Sequence, residues 1–340
     1  MSRTDSTILA PRNGAPRRRP ARAGRTEAGR SERGQPIALR SADEIVSLRA
    51  AGVVVAEALA ATRKACVVGA TTADVDDAAM AVIRSAGAEP LFLGYPSSSG
   101  AKPFPAATCI SVNEEIVHGI PGARVLRDGD LVSIDCGVRL NGWCSDSAIT
   151  VPVGSVSAAS LALLGVAESM LATAIRMAAP GVAWSDIAES MQDIALAGGH
   201  GIVVEYVGHG IGRSLHESPQ LPNCLNRALV EHGDFTLRPG MVLAIEPMIT
   251  LRGLTARPTR SGAPSGESLL LDADGFPLGV ATRTLADGWT VVAEDGSPAV
   301  HVEHTVAITH RGCEVLSVPA GTSLGTDPRC VPGASPSSSA

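Results

Sequence analysis

The sequence predicts a mixed α/β chain of the α+β kind, with helices and antiparallel strands alternating along most of its 340 residues. Three observations carry this reading. Apolar residues at helical spacing follow capping signals near Ser41 and Thr72 and recur after Ala158. A long hairpin is written into residues 131–152, and two apolar strands into residues 241–249 and 300–309.

Residues 1–40 are rich in Arg, Pro, Gly and Ala and have no apolar period, so a disordered arm is expected there. They hold 10 of the 28 basic and 3 of the 34 acidic side chains, net +7; the remainder holds 18 basic and 31 acidic ones, net −13. The run Arg17-Arg18-Arg19 suits RNA, such as ribosomal RNA, or simply solvent. An organellar transit peptide fits less well, because Pro and Gly spoil an amphipathic helix.

Ser41-Ala-Asp-Glu44 is a capping box, and Ile45, Leu48, Ala51, Val55 and Leu59 follow at helical spacing up to Gly69. Thr72 starts a second helix through Val75, Ala79 and Ile83. Residues 94–105 form a Gly/Ser/Pro loop and 109–112 a strand. Beyond the hairpin come helices over 158–179 and 184–196, the second with Ser185 as its N-cap. Residues 208–212, Gly-His-Gly-Ile-Gly, form a glycine-flanked loop. Residues 253–279 read as an insertion between strands, and 318–340 as a disordered Pro/Ser/Gly tail.

The chain is long enough to bury a large core in one or two domains. Aromatics make up only 3% of it, so that core is built from Val, Leu, Ile and Ala. No uninterrupted apolar run reaches the roughly 18 residues of a membrane helix, and the first residues lack a secretory signal's apolar core. Seven cysteines without a CxxC pair argue for a reducing compartment and against a disulfide or zinc-finger framework.

The hairpin carries the first chemical signal. Asn141-Gly142 is a strong two-residue turn, because both residues tolerate φ > 0. That turn sets Leu140 opposite Trp143, Asp135 opposite Ala148 and Asp146 opposite Gly137. Asp135 and Asp146 then share a face as a diagonal pair with Cα atoms about 7–8 Å apart. Taken alone, the pair is either a cation site or two solvated aspartates. His209 sits between two glycines, and Glu246 and Glu303 lie inside the apolar stretches VLAIEPM and VHVEHTVAI. Each has a structural reading by itself, but a buried unpaired carboxylate is costly. Together, four acids and a histidine form a hard, oxygen-rich donor set that suits Mn, Fe(II), Co or Zn in pairs.

The segments SVNEEIVHGIP, LVSIDCGV with GWCSDS, VGHGIGRSLHESP, LAIEPMI and VEHTVAIT resemble, in order, the motifs of type I methionine aminopeptidases. The likeness runs from about Ser41 to Ser317, and it implies a single catalytic domain over 41–317. It also implies the pita-bread fold, two pseudo-symmetric halves around a central antiparallel sheet. By resemblance, Asp135, Asp146, His209, Glu246 and Glu303 ligate two divalent ions (Co, Mn, Fe(II) or Zn), bridged by Asp146 and Glu303. The implied reaction is removal of the N-terminal methionine from nascent proteins with a small second residue, through a hydroxide bridging the ions. Glu246 would relay the proton, His216 would sit beside the developing oxyanion, and His118 near the leaving nitrogen. Tyr95, Phe104, Cys109 and Trp289 would line the methionine pocket with His118 and His216. Cys109 is read as packing rather than as a nucleophile.

A cytoplasmic monomer acting on nascent polypeptide N-termini is expected, without membrane association, and the charge of the basic arm makes the ribosome its expected partner. An X-Pro-type pita-bread peptidase fits less well, because those enzymes usually carry a folded N-terminal domain. A non-catalytic pita-bread binding protein fits less well because all five ligand positions are filled. Several positions depart from the family pattern. The insertion should rim the active-site mouth. A few extra residues near 97–102 lengthen the loop bearing Tyr95 and Phe104. His301 replaces a common Gln, Val302 a common aromatic and Leu215 a common Phe.

Overall fold

The computed structural model describes residues 36–97, 100–251, 272, 274 and 276–322. The expectations for residues 1–35, for most of the 253–279 insertion and for 323–340 lie outside them.

Helices α1 (Ala42–Ala65) and α2 (Thr72–Ser85) lead into strands β1 (Glu89–Pro90), β2 (Thr108–Val112), β3 (Glu115–Val117), β4 (Leu131–Leu140) and β5 (Trp143–Pro152). A second helix pair follows, α3 (Ala158–Met177) and α4 (Trp184–Ala197). Short strands come next: β6 (Gly201–Ile202), β7 (Gly208–Gly210), β8 (Glu217–Leu221), β9 (Val242–Ile245) and β10 (Met248–Thr250). The last are β11 (Thr282–Thr284), β12 (Val291–Ala293), β13 (Ala299–His301), β14 (His304–Ile308) and β15 (Cys313–Val315). Among the described residues every strand pairing is antiparallel, so the α+β class holds. One sheet runs β1-β4-β2 with β5 on β4, and a five-stranded sheet runs β15-β14-β9-β7-β8; β13-β10-β6 and β11-β12-β3 form two smaller ones.

Local chemistry explains most boundaries. Ser41 caps α1 reciprocally with Glu44, and Thr71 caps α2 with Asp74. The hairpin register is the expected one, with Leu140 opposite Trp143, Asp135 opposite Ala148 and Gly137 opposite Asp146. Asn141 and Gly142 take φ of 51° and 78°, as a type I′ turn requires.

Three expectations need correction. Ser185 is not the N-cap of α4. Ala183 holds that position without a side-chain bond, and Asp234 from a distant loop accepts from Ser185 N (3.0 Å) and Ser185 Oγ (2.7 Å). The stretches 241–249 and 300–309 are not unbroken strands. Each changes sheet in its middle, from β9 to β10 across Glu246-Pro247 and from β13 to β14 across Val302-Glu303. Pro247 lacks the N–H that would continue the ladder. Order also begins before Ser41. Ile37 is buried among second-half core residues, Arg40 N donates to Gly240 O (2.7 Å), and the Arg40 guanidinium pairs with Glu217. At the other end Val318 is buried in the same core rather than in the tail. Helices α1 and α3 are each, by length and composition, long and apolar enough to cross a membrane. Both instead bury one side in the core, α1 through Val55 and Leu59 and α3 through Leu163 and Met170.

Each helix pair packs on its own half. Val55, Leu59, Val75 and Ile83 meet Ile110, Val132, Ile134 and Val138 of β2 and β4. Leu163, Met170, Trp184, Ile187 and Met191 share a core with Leu243, Ile245, Val306 and Ile308 of β9 and β14. Each fully buried Leu, Ile or Met contributes about 1.5–3 kcal/mol. A third cluster, with Phe104, Cys109, Trp143, Leu215, Val242 and Ala244, spans both halves and flanks the cleft between them.

Candidate active site

The two halves are joined where their acidic residues meet. Thr305 Oγ1 accepts from Asp146 N (3.1 Å) and donates to Asp146 O (2.7 Å). One step along, Ser147 Oγ donates to Glu303 O (2.5 Å), and Glu303 N donates to Ala148 O (2.9 Å). This strip of backbone bonding between β5 and residues 303–305 sets Asp146 beside Glu303, although they are far apart in sequence.

His209 arrives on β7, between β8 and β9. A Cβ at Gly208 would lie 2.4 Å from Ala244 O, and one at Gly210 2.3 Å from Ser218 O. The flanking glycines therefore serve close backbone approach. His209 Nδ1 lies 2.9 Å from Gly210 O, so the proton sits on Nδ1 and the Nε2 lone pair is free. Nε2 lies 3.5 Å from Glu246 Oε1. Glu246 sits at the β9–β10 break, its carbonyl held by Asn223 Nδ2 at 3.0 Å. The ligand atoms of Asp146, His209 and Glu303 lie within 4.8 Å of one another. Asp135 hydrogen-bonds to Asp146, and Glu246 faces His209, which extends the cluster to all five expected donors.

Burial without a compensating charge shapes the electrostatics. It pushes Asp146 up to about 7 and Glu246 up to about 8, and it raises Asp135 and Glu303 well above the usual carboxylate range, helped by their mutual repulsion. Burial also lowers His209 to about 3. Asp135 Oδ1 and Glu303 Oε1 are buried without a hydrogen-bond partner. Orphaned carboxylate oxygens facing a free imidazole lone pair fit a divalent cation.

All eleven site residues expected from the resemblance line one cavity of about 310 Å³, together with Phe92, Pro96 and Leu215. Tyr95 Oη lies 2.9 Å from His216 Nδ1, and the His216 ring meets His209 edge-on at 4.4 Å. His118, at φ 60°, meets Tyr206 (5.5 Å) and Trp289 (6.4 Å), and burial lowers it to about 4. The apolar wall comprises Tyr95, Phe104, Cys109 and Trp289. Trp289 packs on Phe104 at 5.2 Å and donates from Nε1 to Lys102 O (2.8 Å), so the backbone at Lys102 helps hold it. Burial raises the Cys109 thiol well above its ordinary range, in keeping with packing rather than nucleophilic attack.

Sequence reasoning missed Phe92, Pro96 and Tyr206, which carry no motif signal. It also missed Asn223 and Thr305, whose work is to hold backbone. Of the insertion, Phe276 packs in the second-half core, beneath Arg227 at 5.7 Å. The rim expected of it lies outside the described residues.

The profile of metallopeptidase family M24 matches residues 46–310. Methionine aminopeptidase 1 of Bacillus subtilis is 40% identical over 274 residues, covering 81% of this chain and 96% of its own length. Methionine aminopeptidase 1 of Mycobacterium tuberculosis is 41% identical over 286 residues, covering 82% and 94%. The crystal structure of a methionine aminopeptidase from Thermotoga maritima superposes with a TM-score of 0.70 at 36% identity, covering 83% of this chain and 99% of that one.

Proposed function

This chain belongs to the methionine aminopeptidases of metallopeptidase family M24, with their pita-bread fold, and on that premise we propose how its cleft removes the N-terminal methionine from a polypeptide. The observation that carries the reading is the convergence of Asp135, Asp146, His209, Glu246 and Glu303 beside an apolar wall in one cavity.

We assign those five side chains as the set that would hold two divalent ions drawn from Co, Mn, Fe(II) or Zn, with Asp146, His209 and Glu303 at its centre. Divalent ions held there supply Lewis-acid polarisation of a carbonyl and a lowered pKa for water. Glu246, facing His209 at the edge of the set, is assigned to take up a proton and release it to a leaving amine. Tyr95 holds His216 at the cavity edge, where an imidazole N–H can meet a developing oxyanion. His118, kept neutral by burial, offers a hydrogen bond near the leaving nitrogen. Tyr95, Phe104, Cys109 and Trp289 take up the methionine side chain and exclude water.

The catalytic domain is assigned to 41–317, with residues 36–40 and Val318 added by their packing. Nascent N-termini are the substrates, a small second residue is favoured, and the setting is cytoplasmic. The basic arm is assigned to the ribosome, and the chain is read as a monomer.

The test is peptide hydrolysis by metal-stripped full chain refilled with Co, Mn, Fe(II) or Zn. Met-Gly and Met-Ala peptides should release methionine, while Met-Leu should not and Asp135→Ala should be inactive. Cleavage of Xaa-Pro peptides regardless of the first residue, or no release with any metal, would sink the reading.

A further inference from the structure

His301 is the departure from the family pattern that the proposed chemistry leaves unused. We propose that it is a positioning residue for Glu246, donating from Nε2–H to the carboxylate oxygen that faces away from His209. The inference rests on the assignment of Glu246 to the metal site.

His301 closes β13 directly opposite Met248, the first residue of β10, and Glu246 lies just before that strand. The imidazole therefore rises beside the Glu246 side chain. The His301 backbone is pinned by the first-half hairpin. Its N–H meets Ser133 Oγ (3.2 Å) and Thr150 Oγ1 (3.1 Å), and its carbonyl accepts from Thr150 Oγ1 (2.8 Å). Those two hydroxyls are bonded to each other at 2.9 Å. The side chain is 2% exposed and so has little room to move.

The ring's Nε2 is buried with no hydrogen-bond partner among the described residues. Its nearest acidic neighbour is Glu246 Oε2 at 3.4 Å. The other oxygen, Oε1, lies 3.5 Å from His209 Nε2. The Glu246 carboxylate thus sits between two imidazoles with different duties. His209 has committed its proton to Gly210 O, so its Nε2 is a lone pair suited to a cation. A second lone pair on the other side would repel Oε2. With its proton on Nε2, a small approach from the present 3.4 Å lets His301 donate to Oε2 and fix the carboxylate plane, leaving Oε1 on the His209 side. A Gln at this position would keep an N–H donor on a flexible stem; His places it on a rigid ring braced from the other half.

Partners that orient a metal-facing side chain typically change metal affinity or turnover by about 10–100-fold when removed. Mn(II) titrated calorimetrically into metal-stripped full chain should bind His301→Leu about 10–100-fold more weakly than the unsubstituted protein. With Met-Ala-Ser, kcat should fall by a similar factor while KM stays within about threefold, and His301→Gln should restore most of both losses. Unchanged Mn(II) affinity in a folded His301→Leu, or a Gln variant as impaired as the Leu variant, would overturn the inference. So would an effect confined to the ranking of Met-Gly over Met-Leu, which would make His301 a wall of the second-residue pocket. If the unsubstituted protein released no methionine with any metal, the proposed function would fall, and the Mn(II) titrations would still decide the His301–Glu246 contact.

Discussion

Asp135 and Asp146 come from one hairpin with a two-residue turn, whereas His209 comes from a strand, and Glu246 and Glu303 from two strand breaks, spread through the second half. In the first half, strand register alone sets the geometry. The Asn141-Gly142 turn fixes which residues face each other, and alternation puts both aspartates on one face. In the second half, three strands must align. Ala244 of β9 pairs with both His209 and Thr305, so β7, β9 and β14 meet at one level. Glu246 and Glu303 then enter where their strands leave that sheet. The difference teaches that a pair of donors can be coded locally, but the pocket that holds an ion between halves cannot.

The strongest way to break this comparison is to remove the donor at which the halves meet, once from each side. Asp146→Ala and Glu303→Ala should each lower metal-dependent methionine release by at least about 10³-fold, because several kcal/mol of charge stabilisation goes with the ion. Metal content measured alongside should drop in both. If one variant kept its metal and its rate, the two halves would not share a site.

Glu246→Gln separates holding from proton transfer. Its kcat on Met-Ala-Ser should fall about 10²-fold or more. A near-normal rate would remove Glu246 from the proton relay.

A third test sharpens the electrostatic side of the comparison in the metal-free protein. Asp146 (about 7) and Glu246 (about 8) are raised above their unfolded values near 4, so they stabilise the fold when protonated and lose that contribution as pH rises through their folded values. The buried histidines, His209 at about 3 and His118, His301 and His304 at about 4, act oppositely. Their contribution is present above the unfolded value near 6.5 and is lost as pH falls. From pH 6.5 to 8 only the carboxyls act. Denaturant melts of the metal-free chain should therefore show falling stability over that window, and Mn(II) should cancel the fall. A flat or rising curve without metal contradicts the buried-carboxylate picture.

The smallest effect is at the seam. Thr305→Val leaves the N–H and carbonyl of buried Asp146 without their hydroxyl partner, at a cost of about 1–3 kcal/mol. Urea unfolding reads this directly. A change below about 0.5 kcal/mol would mean that the seam is held mainly by the Glu303–Ala148 backbone bonds.

Legibility followed the range of the interactions. The caps of α1 and α2 and the hairpin register were readable, because each rests on residues within a few positions of one another. The cap of α4 was not, because Asp234 supplies it from a distant loop. The breaks at Glu246 and Val302 were hidden inside continuous apolar stretches, since a strand that changes sheet keeps its hydrophobic pattern. The packing of Ile37 and Arg40 was masked by an Arg/Pro-rich context in which burial depends on Gly240 and Glu217. The donors themselves could be named from five motifs, yet Asn223 and Tyr206 could not, because neither carries a local signal.

By itself, then, the sequence determined the α+β class and the hairpin register through short-range spacing and residue chemistry, and its motifs pointed by resemblance to the family and to five candidate donors. Tertiary structure alone decided that Asp146 and Glu303 lie side by side, that Glu246 sits between two imidazoles, and that the apolar wall closes on the same cavity. Those depend on burial and on backbone bonds between distant segments, and burial is a property of the packed chain rather than of any stretch of it.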